Sequence, residues 1–260
     1  MKMQQAFIFL TNKHAPVVLD LYHRLHTAAQ AWGDTYLAYN QTTPTVPAPI
    51  MNERNFIFTN DIVDRMGYDT LDKRVYSNAH FVLLDFYLKN QQYDYYWFIE
   101  DDVVFNGSWA HLFSHFSESH IQPDLLACHI YSYQNTPGWC WWVSLYHPYQ
   151  QVPMNLRIRS FHPVFRISNA ALRFLHAALT DRWRGHHEVL IASLLYLEGF
   201  HVADFGGNGP FVIPGHDDRF YINGHISDDC NDGTMRFRPL IQPSEITVDN
   251  KLYHPVKPWA

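Results

Sequence analysis

Three cysteines, Cys128, Cys140 and Cys230, are scattered over 260 residues. They match no zinc-binding spacing and are too far apart to suggest a disulfide framework. Lysine and arginine total 19 against 25 acidic residues, a net charge of −6. They form no dense cluster that could track a phosphate backbone, so nucleic acid is not an expected partner. No apolar run approaches the ~20 residues that span a bilayer, which leaves only peripheral contact with a membrane surface. The opening Met1 to Gln5, followed by Ala6 to Leu10, is too short for a signal peptide and lacks a small-residue cleavage site. The expectation is a cytoplasmic protein that is mature as it begins. No repeat, low-complexity tract or clear linker divides it, so one domain over 1–260 is expected.

Apolar and aromatic residues are plentiful, at 47% and 16%, enough for a large core. Gln5 to Thr11 reads as a strand. Pro16 suits the first turn of a helix, and Val18, Leu21, Tyr22, Leu25, Ala28 and Ala29 follow at helical spacing, with Gly33 as its stop. Thr35 to Tyr39 alternates as a second strand. This β-loop-α-β opening predicts an α/β fold of the doubly wound, Rossmann-like kind, with a mostly parallel sheet flanked by helices. Ligands of such sheets bind beyond the carboxyl ends of strands, where the loop from Thr11 to His14 lies. Thr11 and Asn12 are therefore candidate nucleotide contacts, or part of a plain connection. Asn55 to Thr59 reads as another strand, and Val75, Ala79, Val82, Leu83 and Phe86 as a helical stripe.

The organising stretch is Tyr93 to Phe105. An apolar and aromatic run reads as a buried strand and meets Glu100, Asp101 and Asp102 in a row. Three adjacent carboxylates at the end of a buried strand repel one another, and a divalent cation is the usual compensation. If the chain stays extended, Glu100 and Asp102 share a face and Asp101 points the other way. The plainer alternative is a solvated acidic turn.

Phe98-Ile99-Glu100-Asp101-Asp102-Val103 resembles the DXD-type motif of glycosyltransferases with the GT-A fold, with Glu in place of the first Asp. The resemblance implies a nucleotide-sugar donor, most often a UDP-sugar, and Mn2+ or Mg2+ held by Asp102 and Glu100. It implies that His254, in a tail Lys251 to Trp259, completes the metal shell. Lys257 would meet the diphosphate, and the tail would order only with nucleotide bound. It makes Asp101, and Lys73 and Asn78 on the preceding helix, candidate donor contacts, although a solvated helix start explains the last two as well. The fold would divide into a nucleotide-sugar half (1–108), an acceptor half (109–250) and the tail (251–260).

Trp139, Trp141 and Trp142 sit beside Pro137 and Gly138 in a segment that reads as a loop over the pocket. Aromatic faces stack on sugar rings, and they also fill cores. Glu188 follows His186 and His187 at the start of an apolar helix, Val189 to Leu197, where the helix dipole favours its charge. In inverting GT-A enzymes an acidic residue so placed is the general base, which assigns that role to Glu188, with His186 or His187 in reserve and His187 near the acceptor. The expected function is sugar transfer from a nucleoside diphosphate to a hydroxyl of a glycan or lipid-linked glycan, as in polysaccharide biosynthesis. The alternatives are a nucleotidyltransferase that makes nucleotide-sugars, a metal-dependent hydrolase and a non-catalytic sugar-binding module.

Overall fold

The computed structural model describes residues 3–257. Its elements run β1 (Gln5–Thr11), α1 (Pro16–Ala29), β2 (Gly33–Asn40), α2 (Ala48–Met51), β3 (Asn55–Phe58), α3 (Ile62–Arg65), α4 (Ala79–Lys89), β4 (Tyr95–Glu100), β5 (Val104–Asn106), α5 (Trp109–Glu118), β6 (Leu125–Ser132), β7 (Ile158–Ser168), α6 (Asn169–Thr180), α7 (His187–Leu197), β8 (Val202–Asp204) and β9 (Lys251–Tyr253). Seven strands make one sheet in the order β3-β2-β1-β4-β7-β6-β8. Every pairing in it is parallel except the two made by β7. This is the α/β architecture that the opening elements predict.

Strands of a sheet covered on both faces need not alternate apolar with polar residues. In β1, Ala6 and Ile8 enter one core while Phe7 and Phe9 enter the other. In β4, Tyr96 and Phe98 share the first core, and Trp97 and Ile99 the second. Helices α4, α6 and α7 close the first face, and α1 and α5 the second. The stripe read from Val75 onward is only partly one helix. Val75–Asn78 forms a 3-10 turn, and α4 is buried along Ala79 to Tyr87 rather than on one side. Gly33 does not stop α1 but begins β2, where an added Cβ would lie 1.8 Å from the Gln5 carbonyl oxygen.

The tail departs from expectation. β9 pairs antiparallel with β5, Phe105 opposite Leu252. Val256 N–H donates to the Asp102 carbonyl at 2.8 Å, and Leu252, Tyr253 and Val256 are buried. The tail as far as Lys257 is therefore held by the chain's own hydrogen bonds and apolar packing. Residues 258–260 of the expected tail lie outside the described residues. No helix among the described residues is long and apolar enough to cross a membrane.

Candidate active site

β4 delivers the acidic triplet to the carboxyl end of the sheet. The chain turns at once, with Val103 N–H donating to the Glu100 carbonyl at 3.1 Å. The side chains nevertheless part as alternation predicts. Asp101 faces the end of β1, where Thr11 Oγ1 donates to its Oδ2 at 2.5 Å and Lys13 Nζ lies at 3.4 Å. Glu100 and Asp102 face His254, whose Nε2 is 4.0 Å from Glu100 Oε2 and 3.4 Å from Asp102 Oδ1. Lys257 Nζ is 3.9 Å from Asp102 Oδ2.

One donor atom from each of Glu100, Asp102 and His254 lies within 4.8 Å of the others. The charge pattern of this trio fits a cation. His254 Nδ1 bonds the Arg236 carbonyl at 2.8 Å, which can only accept, so Nδ1 carries the proton. Burial pushes the His254 pKa down to about 4, so the ring is neutral. Its Nε2 is then an acceptor, and it faces Asp102 Oδ1, a buried acceptor with no hydrogen-bond partner. Burial, then Asp102 and Asp101, drive the Glu100 pKa well up, and burial raises that of Asp102. Lone pairs and negative charge thus converge on one point, with His254 and Asp102 largely shielded from water and Glu100 35% exposed at the cleft. Two carboxylates and an imidazole suit Mn2+ or Mg2+.

Glu100 and His254 also border a cleft of about 470 Å3. Its other walls include Glu188, His186 and His187 at the start of α7, and Trp139, Trp141 and Phe237. The helix anchors Glu188: Val189 to Leu195 are all buried. The helix start favours a charged Glu188, but burial wins and pushes its pKa up to about 7, against the pull of Arg159. A carboxyl that titrates near neutrality is suited to general-base work. His186 Nδ1 lies 3.6 Å from Glu188 Oε2.

The cleft therefore brings together Glu100, His254, Glu188, His187, Trp139 and Trp141. Other candidates stand elsewhere. Trp142 is 2% exposed and packs in the core with its Nε1 donating to the Thr136 carbonyl at 2.6 Å, so the structure removes it from the acceptor set. Lys73 is exposed and paired with Asp64. The Asn78 amide donates to the Asp72 and Arg74 carbonyls at 3.0 and 2.8 Å, which makes it a brace of its own loop. Neither borders the cleft, whereas Tyr76, between them, does. Thr11 and Asn12 meet Asp101 and Lys13 respectively, so Asp101 already has protein partners.

Sequence reasoning missed Arg159, Ser160 and His162, all on the cleft. A signal was there: these three are among five polar residues inside β7, a strand buried along all 11 of its residues. It also missed Cys230, Asn231 and Arg238, from an irregular stretch whose place no local pattern reveals. A larger cavity of about 730 Å3 lies against α1, lined by Phe9, Leu25, Ile99 and Trp109, and holds none of the acidic triplet.

No protein-family model matches this chain, and no curated protein does. Among solved structures it is similar to an inositol-1-phosphate CTP transferase from T. maritima, at 10% identity and a TM-score of 0.41, over 78% of this chain and 85% of that one. It is also similar to a protein described as a glucose-1-phosphate thymidylyltransferase from Bacillus anthracis, in complex with a sucrose. That match has 9% identity and a TM-score of 0.42, over 79% of this chain and 88% of the other. Similarity this distant concerns chain topology and says nothing about site residues or substrate.

Proposed function

We propose that this chain is a metal-dependent glycosyltransferase of the GT-A type. It moves a sugar from a nucleoside diphosphate donor, a UDP-sugar in the first instance, to a hydroxyl of a glycan or lipid-linked glycan. The observation that carries this reading is one cleft bordered both by Glu100 and His254 of the cation-suited cluster and by the largely buried Glu188 carboxyl, which titrates near neutral pH.

Glu100, Asp102 and His254 would hold Mn2+ or Mg2+, which neutralises charge on a departing diphosphate when bound. Lys257 adds a positive charge beside Asp102. Thr11 and Asn12 stand on the donor side, and Trp139 and Trp141 offer faces to the acceptor sugar. Glu188 takes the proton of the acceptor hydroxyl as its oxygen attacks the anomeric carbon from the face opposite the diphosphate. The bond to the diphosphate breaks with its electron pair, and the configuration inverts. The whole chain works as one unit in the cytoplasm, with residues 1–108 toward the donor, 109–250 toward the acceptor and 251–260 completing the metal site.

The second reading is a nucleotidyltransferase that makes nucleotide-sugars, the class named for both solved structures. It would consume a nucleoside triphosphate and a sugar phosphate and release pyrophosphate. The β1–α1 loop, Thr11 to His14, lacks the Gly-rich basic stretch expected of that class, and Glu188 would have no hydroxyl to deprotonate.

Thermal melts with nucleoside di- and triphosphates, with and without Mn2+, test the donor class. Mn2+-dependent stabilisation by UDP, followed by UDP release and a product of inverted anomeric configuration by proton NMR, is expected. Pyrophosphate release from a triphosphate and a sugar phosphate would establish the second reading. A retained configuration would remove Glu188 as base.

A further inference from the structure

Resting on that reading of Glu188 and Trp141, we propose that His186 is a positioning residue that joins the acceptor platform to the base. The His186 ring is set between aromatic neighbours. Trp141 stacks on it at 4.6 Å and 13°. His187 lies at 4.7 Å and 30°, and Trp139 meets it edge-on at 6.0 Å and 85°. Trp141 is 37% exposed, so the same indole that faces the cleft leans on the histidine.

The backbones are tied as well. His186 N–H donates to Ser144 Oγ at 3.0 Å, and that hydroxyl donates to the Trp141 carbonyl at 2.7 Å. Tyr146 and Arg184 exchange two backbone hydrogen bonds of 2.9 Å. Gly185 permits this contact, since an added Cβ would stand 3.1 Å from Leu145 Cα. The turn that carries Trp141 and the residues leading into α7 therefore move as one body.

The remaining edge of the ring addresses the base. His186 Nδ1 is buried, has no hydrogen-bond partner, and lies 3.6 Å from Glu188 Oε2. That is too long for a hydrogen bond, and contacts of this kind tighten in the reacting complex. An Nδ1–H that closes on Oε2 adds to the backbone hydrogen bond that His162 already makes to this carboxylate, and together they fix it with a lone pair left for the acceptor hydroxyl. Histidine thus serves two faces at once: its plane supports the platform, and its Nδ1 orients the base.

Two substitutions separate these duties. His186→Phe keeps a ring under Trp141 and removes Nδ1. His186→Asn sets an amide N–H where Nδ1 stands and removes the ring. The assay uses Mn2+, UDP-sugar and whichever p-nitrophenyl glycoside the wild type turns over fastest. His186→Phe should lose roughly tenfold to a hundredfold in kcat with acceptor KM nearly unchanged. His186→Asn should keep kcat within about threefold and raise acceptor KM by about tenfold. Both should keep the UDP-induced rise in melting temperature. Should His186→Phe not fold, His186→Tyr, which likewise keeps a ring under Trp141 and lacks Nδ1, replaces it. Variants that change kcat and KM alike, or not at all, overturn the proposal while an inactive Glu188→Gln leaves the base reading intact. A fully active Glu188→Gln removes both.

Discussion

Glu188→Gln should change how stability depends on pH, independently of its effect on turnover. Burial raises the Glu188 pKa from its ordinary 4.5 to about 7, so the folded state holds a proton that the unfolded chain releases earlier. Stability from this group is complete below about 4.5, declines as pH rises, and is gone above about 7. At about 1.36 kcal/mol per pH unit the whole loss is ~3 kcal/mol. A neutral amide of nearly the same shape undergoes no such titration. Melting curves in EDTA should therefore show wild type and variant close together at pH 4.5. By pH 8 they should diverge, with the variant higher by roughly 6–12 °C for a chain of this size. Turnover should move oppositely: wild-type activity rises up to pH near 7, and the variant loses roughly a hundred- to ten-thousandfold. A melting-temperature gap that stays constant from pH 4.5 to 8 would refute the idea that this carboxyl is desolvated.

Asp102→Asn removes a buried acceptor that faces another. It should raise stability in EDTA and abolish stabilisation by Mn2+, with a loss of metal affinity beyond the roughly 10- to 100-fold typical of an outer-shell partner; an unchanged Mn2+ titration would sink the metal assignment. Lys257→Ala should weaken UDP binding in a salt-dependent way while shifting stability by no more than about 0.5 kcal/mol, as isothermal titration at two ionic strengths would show. Deleting the tail is not an equivalent test, because β9 is part of the fold. Trp142→Ala should cost about 3–5 kcal/mol of stability in denaturant melts. Trp141→Ala should cost far less and instead raise acceptor KM, and equal destabilisation by the two would place Trp141 in the core as well.

Local sequence determined the longer elements, such as β1, α1, β4 and α7, but not the short ones, α2, α3, β5 and β9. Pro16, for example, reads as a first-turn residue, and α1 begins on it. It also determined the split of the acidic triplet, because alternation along an extended strand is a property of the backbone itself. The start of α7 was legible for the same reason, as a switch from polar residues to a long apolar run. Tertiary structure decided which distant segments meet. His254 reaches Asp102 only because β9 pairs with β5, a partnership that three-residue strands do not announce. Trp141 and Trp142 are adjacent and alike in sequence, yet one lines the cleft and the other fills the core, since only packing chooses the side. The pKa of Glu188 was out of reach of sequence altogether: a helix start by itself favours the charged form, and the burial that outweighs it is supplied by chain segments far away along the sequence.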